Sequence, residues 1–226
     1  MIMSLLEDLK GKLVVSCQAL EDEPLYSSFI MSKMAKAAYL GGASAIRAQG
    51  VEDIKAIKEE VDLPIIGLIK RDYSDSDIHI TPSMKEIDEL IAAGCEVIAL
   101  DATPRTRPNN DKLEDMLAKI KAANIISMAD ISTVEEAIAA EEMGFDCIST
   151  TLSGYTPYST QSPTVDIALI KKLSEITTVP LVAEGKIHYP HQLSEAYEAG
   201  ADICVVGGAI TRPLEITQRF MEVLDK

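Results

Sequence analysis

Two apolar runs of the chain end on a charged residue. Lys70 follows the run Ile-Ile-Gly-Leu-Ile at 65–69, and Glu184 follows Leu-Val-Ala at 181–183. A charge buried without a partner is costly, so each position indicates either a structural salt bridge or chemistry. A lysine whose pKa is lowered by burial and neighbouring cations can accept a proton, and a carboxylate can act as a second acid or base. The two residues therefore suggest proton transfer.

Glycines mark a second candidate site. Gly185 follows the second of these runs, and Gly207 and Gly208 follow the apolar run 203–206, with Arg212 just beyond. Small residues that lead into a helix expose backbone N–H groups to an anion, and the arginine adds a positive charge. The pattern favours a phosphate cradle, although glycines that only ease tight turns would give the same pattern.

The elements that must position these residues alternate along the chain. Short β-rich apolar runs are separated by longer stretches with apolar residues at helical spacing, and many of these stretches end at a glycine. The predicted strands are Leu13–Gln18, Ala45–Gln49, Ile65–Lys70, Val97–Asp101, Ile125–Asp130, Cys147–Thr151, Leu181–Glu184 and Ile203–Val206. The predicted helices are Met31–Leu40, Ile54–Val61, Met84–Ala93, Leu113–Ala122, Val134–Met143, Asp166–Ile176, His191–Ala199 and Leu214–Leu224.

Eight strand–helix units whose strands are apolar on both faces predict an α/β fold. We expect a single (β/α)8 TIM barrel with a short N-terminal helix, and we expect residues 1–226 to form one catalytic domain. No G-x-G-x-x-G follows the first strand, which disfavours a Rossmann sheet. The active site of such a barrel lies at the C-terminal strand ends. The further polar residues predicted there are Gln18, Arg47, Gln49, Asp101, Asp130, Thr150 and Thr151.

Charge and cysteine usage exclude several classes of partner. The 226 residues include 21 Lys+Arg and 36 Asp+Glu, a net charge of −15, so we expect neither nucleic acid nor an anionic membrane as a partner. The four cysteines show no C-x-x-C spacing, which argues against a zinc site or a disulfide framework and indicates a reducing cytoplasm. No apolar run approaches the ~20 residues of a membrane helix, so a soluble protein is expected.

The sequence carries weaker signals for a metal site and for the role of two loops. All three histidines lie away from the predicted strand ends, so we expect them to face solvent and predict no metal site. A Mg²⁺ site made by Asp101, Asp130 and Glu184 is the disfavoured alternative. The segment 71–82 reads as a solvated loop, and the turn-rich segment 152–163 as either a loop over a site or a plain surface excursion.

In their order along the chain, the strand-end motifs closely resemble those of the N-acetylmannosamine-6-phosphate 2-epimerases. The resemblance spans nearly the whole chain with one motif per strand end, and this order is more specific than any single motif. The motifs are VSCQ at 15–18, AIRAQG at 45–50, PIIGLIK at 64–70, ALDAT at 99–103, MADIS at 128–132, TTLSGYT at 150–156, AEG at 183–185 and VGGAITRP at 206–213.

The resemblance implies a cofactor-free isomerase of sialic acid degradation that converts N-acetylmannosamine 6-phosphate to N-acetylglucosamine 6-phosphate. It places the catalytic lysine on Lys70 and the catalytic glutamate on Glu184. It also implies a phosphorylated N-acetyl amino sugar as ligand and a homodimer as the assembly. The positions implied to bind substrate are Gln18, Arg47, Asp130, Gly185, Gly207, Gly208 and Arg212.

Two other functions fit the same residues. In a phosphosugar aldolase Lys70 would form a Schiff base with the substrate. A non-catalytic phosphosugar-binding protein would use the glycines and Arg212 for binding and would tolerate loss of Lys70. Such a sensor has little use for a lysine and a glutamate at opposing strand ends, which favours an enzyme.

Overall fold

A computed structural model describes residues 2–224 of the protein. Eight parallel strands close into a barrel in which each strand pairs with the next in sequence and β8 pairs with β1. The predicted (β/α)8 architecture is thereby confirmed. The strands are β1 (Leu13–Cys17), β2 (Ala45–Gln49), β3 (Ile65–Leu68), β4 (Val97–Asp101), β5 (Ile126–Asp130), β6 (Cys147–Ser149), β7 (Leu181–Glu184) and β8 (Ile203–Val206).

The helices lie where the apolar spacing predicts them, with ends that differ by a few residues. Ser83 and Thr133 begin two of them with capping boxes, in which side chain and backbone satisfy each other's free groups. The helices are α1 (Ile2–Leu9), α2 (Ser28–Leu40), α3 (Val51–Glu60), α4 (Met84–Ala93), α5 (Leu113–Ala122), α6 (Val134–Met143), α7 (Ile167–Ile176), α8 (Pro190–Glu198), α9 (Gly208–Thr211) and α10 (Pro213–Met221).

Three predicted strands are too long at their C-terminal ends: β1 ends one residue before Gln18, and β3 and β6 each end two residues early. The differences in β3 and β6 have a structural cause that bears on the site. β3 ends at Leu68 because Lys70 pairs in antiparallel fashion with Ile80 of the following loop. β6 ends at Ser149 because residues 150–152 form a 3-10 turn. In both places the chain leaves the sheet at the barrel mouth, where the polar residues are concentrated.

The core has two layers that follow from the alternation of side chains along the strands. One layer fills the barrel interior, and the other packs the outer strand faces against the surrounding helices. Leu6 and Leu9 of α1 are buried in the interior layer, and the Gly11 amide donates to the carbonyl of Asp202. The N-terminal helix therefore covers the bottom of the barrel and leaves the C-terminal mouth open.

Strand register fixes which polar residues are neighbours at the mouth. Asp101 at the end of β4 lies beside Asp130 at the end of β5, and Ser16 of β1 lies beside Arg47 of β2. All four residues are buried. Because a one-residue slip would turn each side chain to the opposite face, closure of the barrel places these groups in one layer.

We expect Gly67→Ala in β3 to destabilise the fold. A Cβ atom at this position would overlap Cys95 Sγ and lie 3.2 Å from Leu90 Cδ2. Overpacking of this kind costs about 1–3 kcal/mol. Urea denaturation should show the loss in the wild-type background and a smaller loss in a Cys95→Ala background, where the sulfur is absent. Equal losses in both backgrounds would contradict the steric explanation.

Within residues 2–224, no helix combines the length and the apolar composition that crossing a lipid bilayer requires.

Candidate active site

A cavity of about 380 Å³ opens at the C-terminal mouth of the barrel. Eight of the nine predicted site residues line it, and the ninth, Asp130, lies directly beneath, where it is fully buried and bound to Arg47. The structure therefore brings the whole predicted set together. The lining residues predicted from the sequence are Gln18, Arg47, Lys70, Glu184, Gly185, Gly207, Gly208 and Arg212.

Arg47 forms the charged centre of the cavity floor. Its Nη2 lies 2.6 Å from Asp130 Oδ2, and its Nη1 donates to Asp130 Oδ1 at 3.2 Å and lies 2.8 Å from Glu184 Oε2. The guanidinium is 1% exposed and Asp130 is 0% exposed. A two-point contact of this kind holds both partners rigidly, and it lets one cation serve two buried carboxylates.

In the 3-10 turn that follows β6, a hydroxyl group contacts the two carboxylates, and a hydroxyl group at the end of β6 contacts it in turn. Thr151 Oγ1 lies 2.7 Å from Asp130 Oδ1 and 3.3 Å from Glu184 Oε2, and Ser149 Oγ lies 2.8 Å from Thr151 Oγ1. The sequence motif included Thr151 only as a strand-end residue. In the structure it bridges the two acids and fixes their relative orientation.

The environment of Glu184 favours its protonated form. Burial raises its pKa above the ordinary value, while the Arg47 cation opposes the shift and Asp130 adds to it. Its side chain keeps a 13% exposed face, whereas Asp130 has none. Glu184 therefore faces the cavity as a group that can hold a proton near neutral pH.

Lys70 has a different environment. Among the described residues, no carboxylate oxygen lies within 4.0 Å of its ammonium nitrogen. Burial, followed by repulsion from Arg212 and Arg47, lowers the pKa of Lys70 to about 8. The structural salt bridge considered above is therefore not formed by Lys70, and its amine is available as a base near neutral pH.

The glycine end of the cavity is shaped by close contacts. A Cβ atom on Gly208 would overlap the carboxylate of Glu215, and one on Gly207 would lie 3.2 Å from Ser16 Cβ. Gly185 has φ +103°, a conformation that favours glycine. Arg212 stands beside them, with Nη2 2.9 Å from Glu23 Oε1 and Nη1 3.1 Å from Glu215 Oε1.

Gln18, directly after β1, presents a hydrogen-bond acceptor that has no partner within the described residues. Its Nε2 donates to Ser16 Oγ at 2.8 Å, and its Oε1 is buried without a partner among the described residues. A buried oxygen without a hydrogen bond is unusual in a folded protein. The side chain of Gln18 is thus held by Ser16 of β1 and not by Arg47 or its carboxylate partners.

The segment 71–82 and the loop after β4 form a wall of the cavity that was not predicted from the sequence. The prediction of a solvated loop holds for the first half of the segment, where Asp72, Ser74 and Asp75 are exposed. It is wrong for the second half, because Ile78 and Thr81 are buried. Asp77 lines the cavity. Arg105 joins the two loops: it donates to Asp77 O at 3.1 Å and contacts Asp101 Oδ2 at 2.5 Å. The alternation Ile-His-Ile at 78–80 was the available signal for a partly buried segment.

Histidines and the second loop also contribute to the cavity. His79 and His188 line it, so these two histidines lie at the barrel mouth, although the side chain of His79 is 40% exposed, in line with the expectation that it faces solvent. Leu152 and Tyr155 line it as well, which places the segment 152–163 over the site. No group of three or more His, Cys, Asp or Glu side chains suited to a metal ion occurs in the part of the chain that the structure describes.

Comparisons with known proteins support one family. The family described as "Putative N-acetylmannosamine-6-phosphate epimerase" (NanE) matches residues 31–226. A relative from Clostridium perfringens (strain SM101 / Type A), described as "Putative N-acetylmannosamine-6-phosphate 2-epimerase", is 58% identical over 97% of this chain and 100% of its own length. A relative from Clostridioides difficile (strain 630) with the same description is 54% identical over 98% and 99%.

A solved structure agrees in fold as well as in sequence. The structure titled as a structural and biochemical characterization of the N-acetylmannosamine-6-phosphate 2-epimerase from Clostridium perfringens matches with a TM-score of 0.96 and 58% identity, over 97% of this chain and 96% of that one. These matches confirm the resemblance drawn from the strand-end motifs. The chain belongs to the NanE family of N-acetylmannosamine-6-phosphate epimerases.

Proposed function

We propose that this protein converts N-acetylmannosamine 6-phosphate to N-acetylglucosamine 6-phosphate by removing the proton on carbon 2 and returning it to the opposite face. The observation that carries the proposal is Lys70, a half-buried amine that has no carboxylate partner within residues 2–224 and shares its cavity with Arg212 and the glycine end. The names of the relatives support the substrate. The catalytic domain comprises residues 1–226, and the reaction belongs to amino-sugar breakdown.

The chemistry requires an open-chain sugar and a neutral amine. The proton on carbon 2 is acidic only when an aldehyde stands next to it, so the ring must open first. Lys70 with its lowered pKa then takes the proton, and negative charge develops on the enediolate oxygen. Either Arg47 or the newly protonated Lys70 stabilises that charge. Glu184, whose pKa is raised, serves as the second acid or base. No cofactor is required by these steps.

Binding falls to the remaining residues of the cavity. Gly185, Gly207, Gly208 and Arg212 hold the phosphate at the β7–β8 side, where small residues leave the backbone accessible. Gln18 holds a sugar hydroxyl group directly, whereas Asp130, which lies beneath the cavity, acts on the substrate through Arg47.

The test is proton NMR of N-acetylmannosamine 6-phosphate in D₂O with the purified protein and no added cofactor. The proposal predicts N-acetylglucosamine 6-phosphate with deuterium at carbon 2. If neither conversion nor exchange occurs, the proposal fails. Borohydride added during turnover distinguishes an aldolase, because only an imine on Lys70 would leave a permanent mass increase on the protein.

The rate should rise with pH through the pKa of Lys70. The base must be neutral, so we expect kcat/KM to increase as the pH passes about 8 and then to level off. A matched control replaces Lys70 with cysteine and alkylates it to aminoethylcysteine, a less basic amine. The four native cysteines are buried, which favours selective modification. The rising limb should then move to lower pH. If the rising part of the pH profile does not move, the group that titrates there is not Lys70.

We propose that the protein is a homodimer of cytoplasmic location. The buried, unpaired cysteines fit a reducing compartment. Helix α10 buries none of its side chains, and it and the residues after it expose several apolar ones. Exposed apolar surface of this kind favours a protein contact. The exposed fractions are Leu214 53%, Phe220 75%, Met221 49%, Val223 70% and Leu224 72%.

Sedimentation equilibrium should give twice the chain mass for the wild type. We expect Phe220→Glu to weaken the association by at least tenfold, because a charge would be buried at the contact. Ile138→Glu is the control, since Ile138 is also exposed, at 42%, but lies on α6. A monomeric wild type, or a dimer indifferent to Phe220→Glu, would refute the α10 contact.

A further inference from the structure

Tyr155 is an exposed aromatic residue beside the glycine end of the cavity. It belongs to the loop between β6 and α7, it lines the cavity, and it is 62% exposed. A Cβ atom built on Gly185 would lie 3.9 Å from its Cε2 atom, so the ring stands next to that glycine. An aromatic ring left open at the edge of a ligand cavity is surface that a ligand could cover.

Lys186 also contacts this ring. Its ammonium nitrogen lies 4.8 Å from the centre of the Tyr155 ring, within the range of a cation–π contact. The same nitrogen donates to Ser162 O at 2.6 Å and to Gly154 O at 3.4 Å. Lys186 therefore connects the loop after β7 to the Tyr155 loop at two points, one before and one after Tyr155 in the sequence.

Backbone conformation shows that this arrangement has a cost. Lys186 has φ +57°, in the left-handed region that is unfavourable for a lysine. Gly154 has φ +77°, and a Cβ atom there would overlap the Lys186 ammonium group. Lys186, next to Gly185, adopts a strained backbone conformation, and Gly154 leaves room for its side chain. Both features indicate that the fold specifies the position of the Lys186 side chain.

The neighbours of Tyr155 are fixed. Ser153 Oγ donates to Asp166 Oδ2 at 2.8 Å, and Thr156 Oγ1 donates to Ser132 Oγ at 2.9 Å. The loop is therefore anchored immediately before and immediately after the tyrosine. Tyr155 is presented to the cavity from a rigid support, which reduces the entropy lost when a ligand binds.

The hydroxyl of Tyr155 is suited to an anion. The protein covers part of Tyr155, and this partial burial raises its pKa, with Glu215 adding to the shift and Arg212 opposing it, so the group is a protonated O–H donor at neutral pH. Arg212 and Gly185 are the residues proposed above for the phosphate. A phosphate oxygen accepts from O–H groups in strong charge-assisted hydrogen bonds.

We propose that the Tyr155 hydroxyl donates a hydrogen bond to the phosphate group of the substrate, and that Lys186 is a positioning residue that holds the tyrosine ring beside Gly185. The inference rests on the proposed function for the identity of the phosphosugar. The inference goes beyond the proposed function because it assigns the β6–α7 loop to phosphate recognition.

The experiment compares Tyr155→Phe, Lys186→Met, Lys186→Arg and the double variant Tyr155→Phe/Lys186→Met with the wild type. Calorimetry measures the affinity for N-acetylglucosamine 6-phosphate and for unphosphorylated N-acetylglucosamine, and kinetics separates KM from kcat. Lys172→Met is the control, because Lys172 is an exposed lysine of α7 outside the cavity. Thermal melting checks that each variant is folded.

We expect Tyr155→Phe to weaken binding of the phosphorylated sugar about tenfold, the loss of one charge-assisted hydrogen bond. Binding of the unphosphorylated sugar should change far less, and KM should rise more than kcat falls. Lys186→Met should give a similar loss, Lys186→Arg should retain most of the affinity, and the double variant should be no worse than either single one, because both changes remove the same contact.

Two results would overturn the inference. Unchanged phosphosugar affinity in Tyr155→Phe would remove the tyrosine from phosphate binding. Multiplying losses in the double variant would mean that Lys186 acts through its own charge and not through the ring. Both tests measure binding, so they remain decisive if the wild type fails to epimerise its substrate, and only the epimerase proposal would then fail.

Discussion

Replacing Lys70 with methionine should reduce epimerisation at least a thousandfold and abolish deuterium exchange at carbon 2. Methionine has nearly the volume of the lysine side chain but no proton acceptor, and removing the essential base leaves only slower solvent-mediated transfer. The measurement is the D₂O NMR assay, with the affinity for N-acetylglucosamine 6-phosphate as a second readout. That affinity should change much less than the rate, because Arg212 and the glycine end remain intact.

The same substitution should increase stability. Folded Lys70 has a pKa of about 8, below the ordinary value of 10.5, so the folded state resists its protonation at neutral pH. The penalty is complete below pH 8 and is relieved between pH 8 and 10.5, where the unfolded state binds more protons than the folded state. Lys70→Met should therefore gain about 2–3 kcal/mol in urea denaturation at pH 7.

That gain should shrink as the pH is raised toward 10. An inactive variant that is also less stable than the wild type at pH 7 would indicate that Lys70 has a structural role. A variant that keeps more than a tenth of the wild-type exchange rate would contradict the assignment of Lys70 as the base. Because activity and stability are expected to change in opposite directions, simple unfolding cannot imitate the predicted result.

Replacing Arg47 with methionine should have the largest effect on the fold. It removes the cation that serves both Asp130 and Glu184, of which Asp130 is fully buried. Breaking a buried ion pair by removing one partner costs about 3–5 kcal/mol, since a charge is left without compensation. Urea denaturation at pH 7 measures the loss, and activity should fall as the carboxylates lose their fixed positions.

The destabilisation should depend on pH. Arg47 opposes the rise in the pKa of Glu184, so without Arg47 that pKa rises further. A carboxylate whose folded-state pKa is raised is tolerated at acidic pH and destabilises the fold as the pH increases. Arg47→Met should therefore be less harmful at pH 5 than at pH 8. The matched control adds Asp130→Asn and Glu184→Gln, which removes both charges with little change in shape.

The triple variant should regain stability relative to Arg47→Met and lose the pH dependence. A loss that is independent of pH, or that persists in the triple variant, would show that Arg47 stabilises the barrel through packing alone. Arg47 Nη1 also contacts Met128 Sδ at 3.3 Å, so a small residual packing effect is expected.

Most of the architecture was predictable from local patterns. Apolar strands between helical stretches, with glycine at the helix ends, specify strand and helix positions within a few residues because side-chain period and helix capping depend on near neighbours. The largest errors at strand ends were those of β3 and β6, two residues each, where Lys70 pairs with Ile80 of the following loop and residues 150–152 form a turn. These interactions override the local preference.

The candidate site was predictable as a set of residues. In a barrel all C-terminal strand ends meet at one mouth, so reading those positions identified Lys70, Glu184 and the glycine end. The motif order identified the family. Roles in binding and catalysis remain predictions, because position at the mouth does not establish which group touches the substrate.

Sequence alone therefore determined the fold, the family and the residues at the mouth, whereas pairing among those residues was decided by the tertiary structure. Arg47 binds Asp130 across a separation of 83 residues, and within residues 2–224 Lys70 has no carboxylate partner. Tyr155 lies beside Gly185 with the ammonium group of Lys186 over its ring. Such contacts depend on barrel closure and register, which bring together charges from strands and loops far apart in sequence, and burial then sets their protonation.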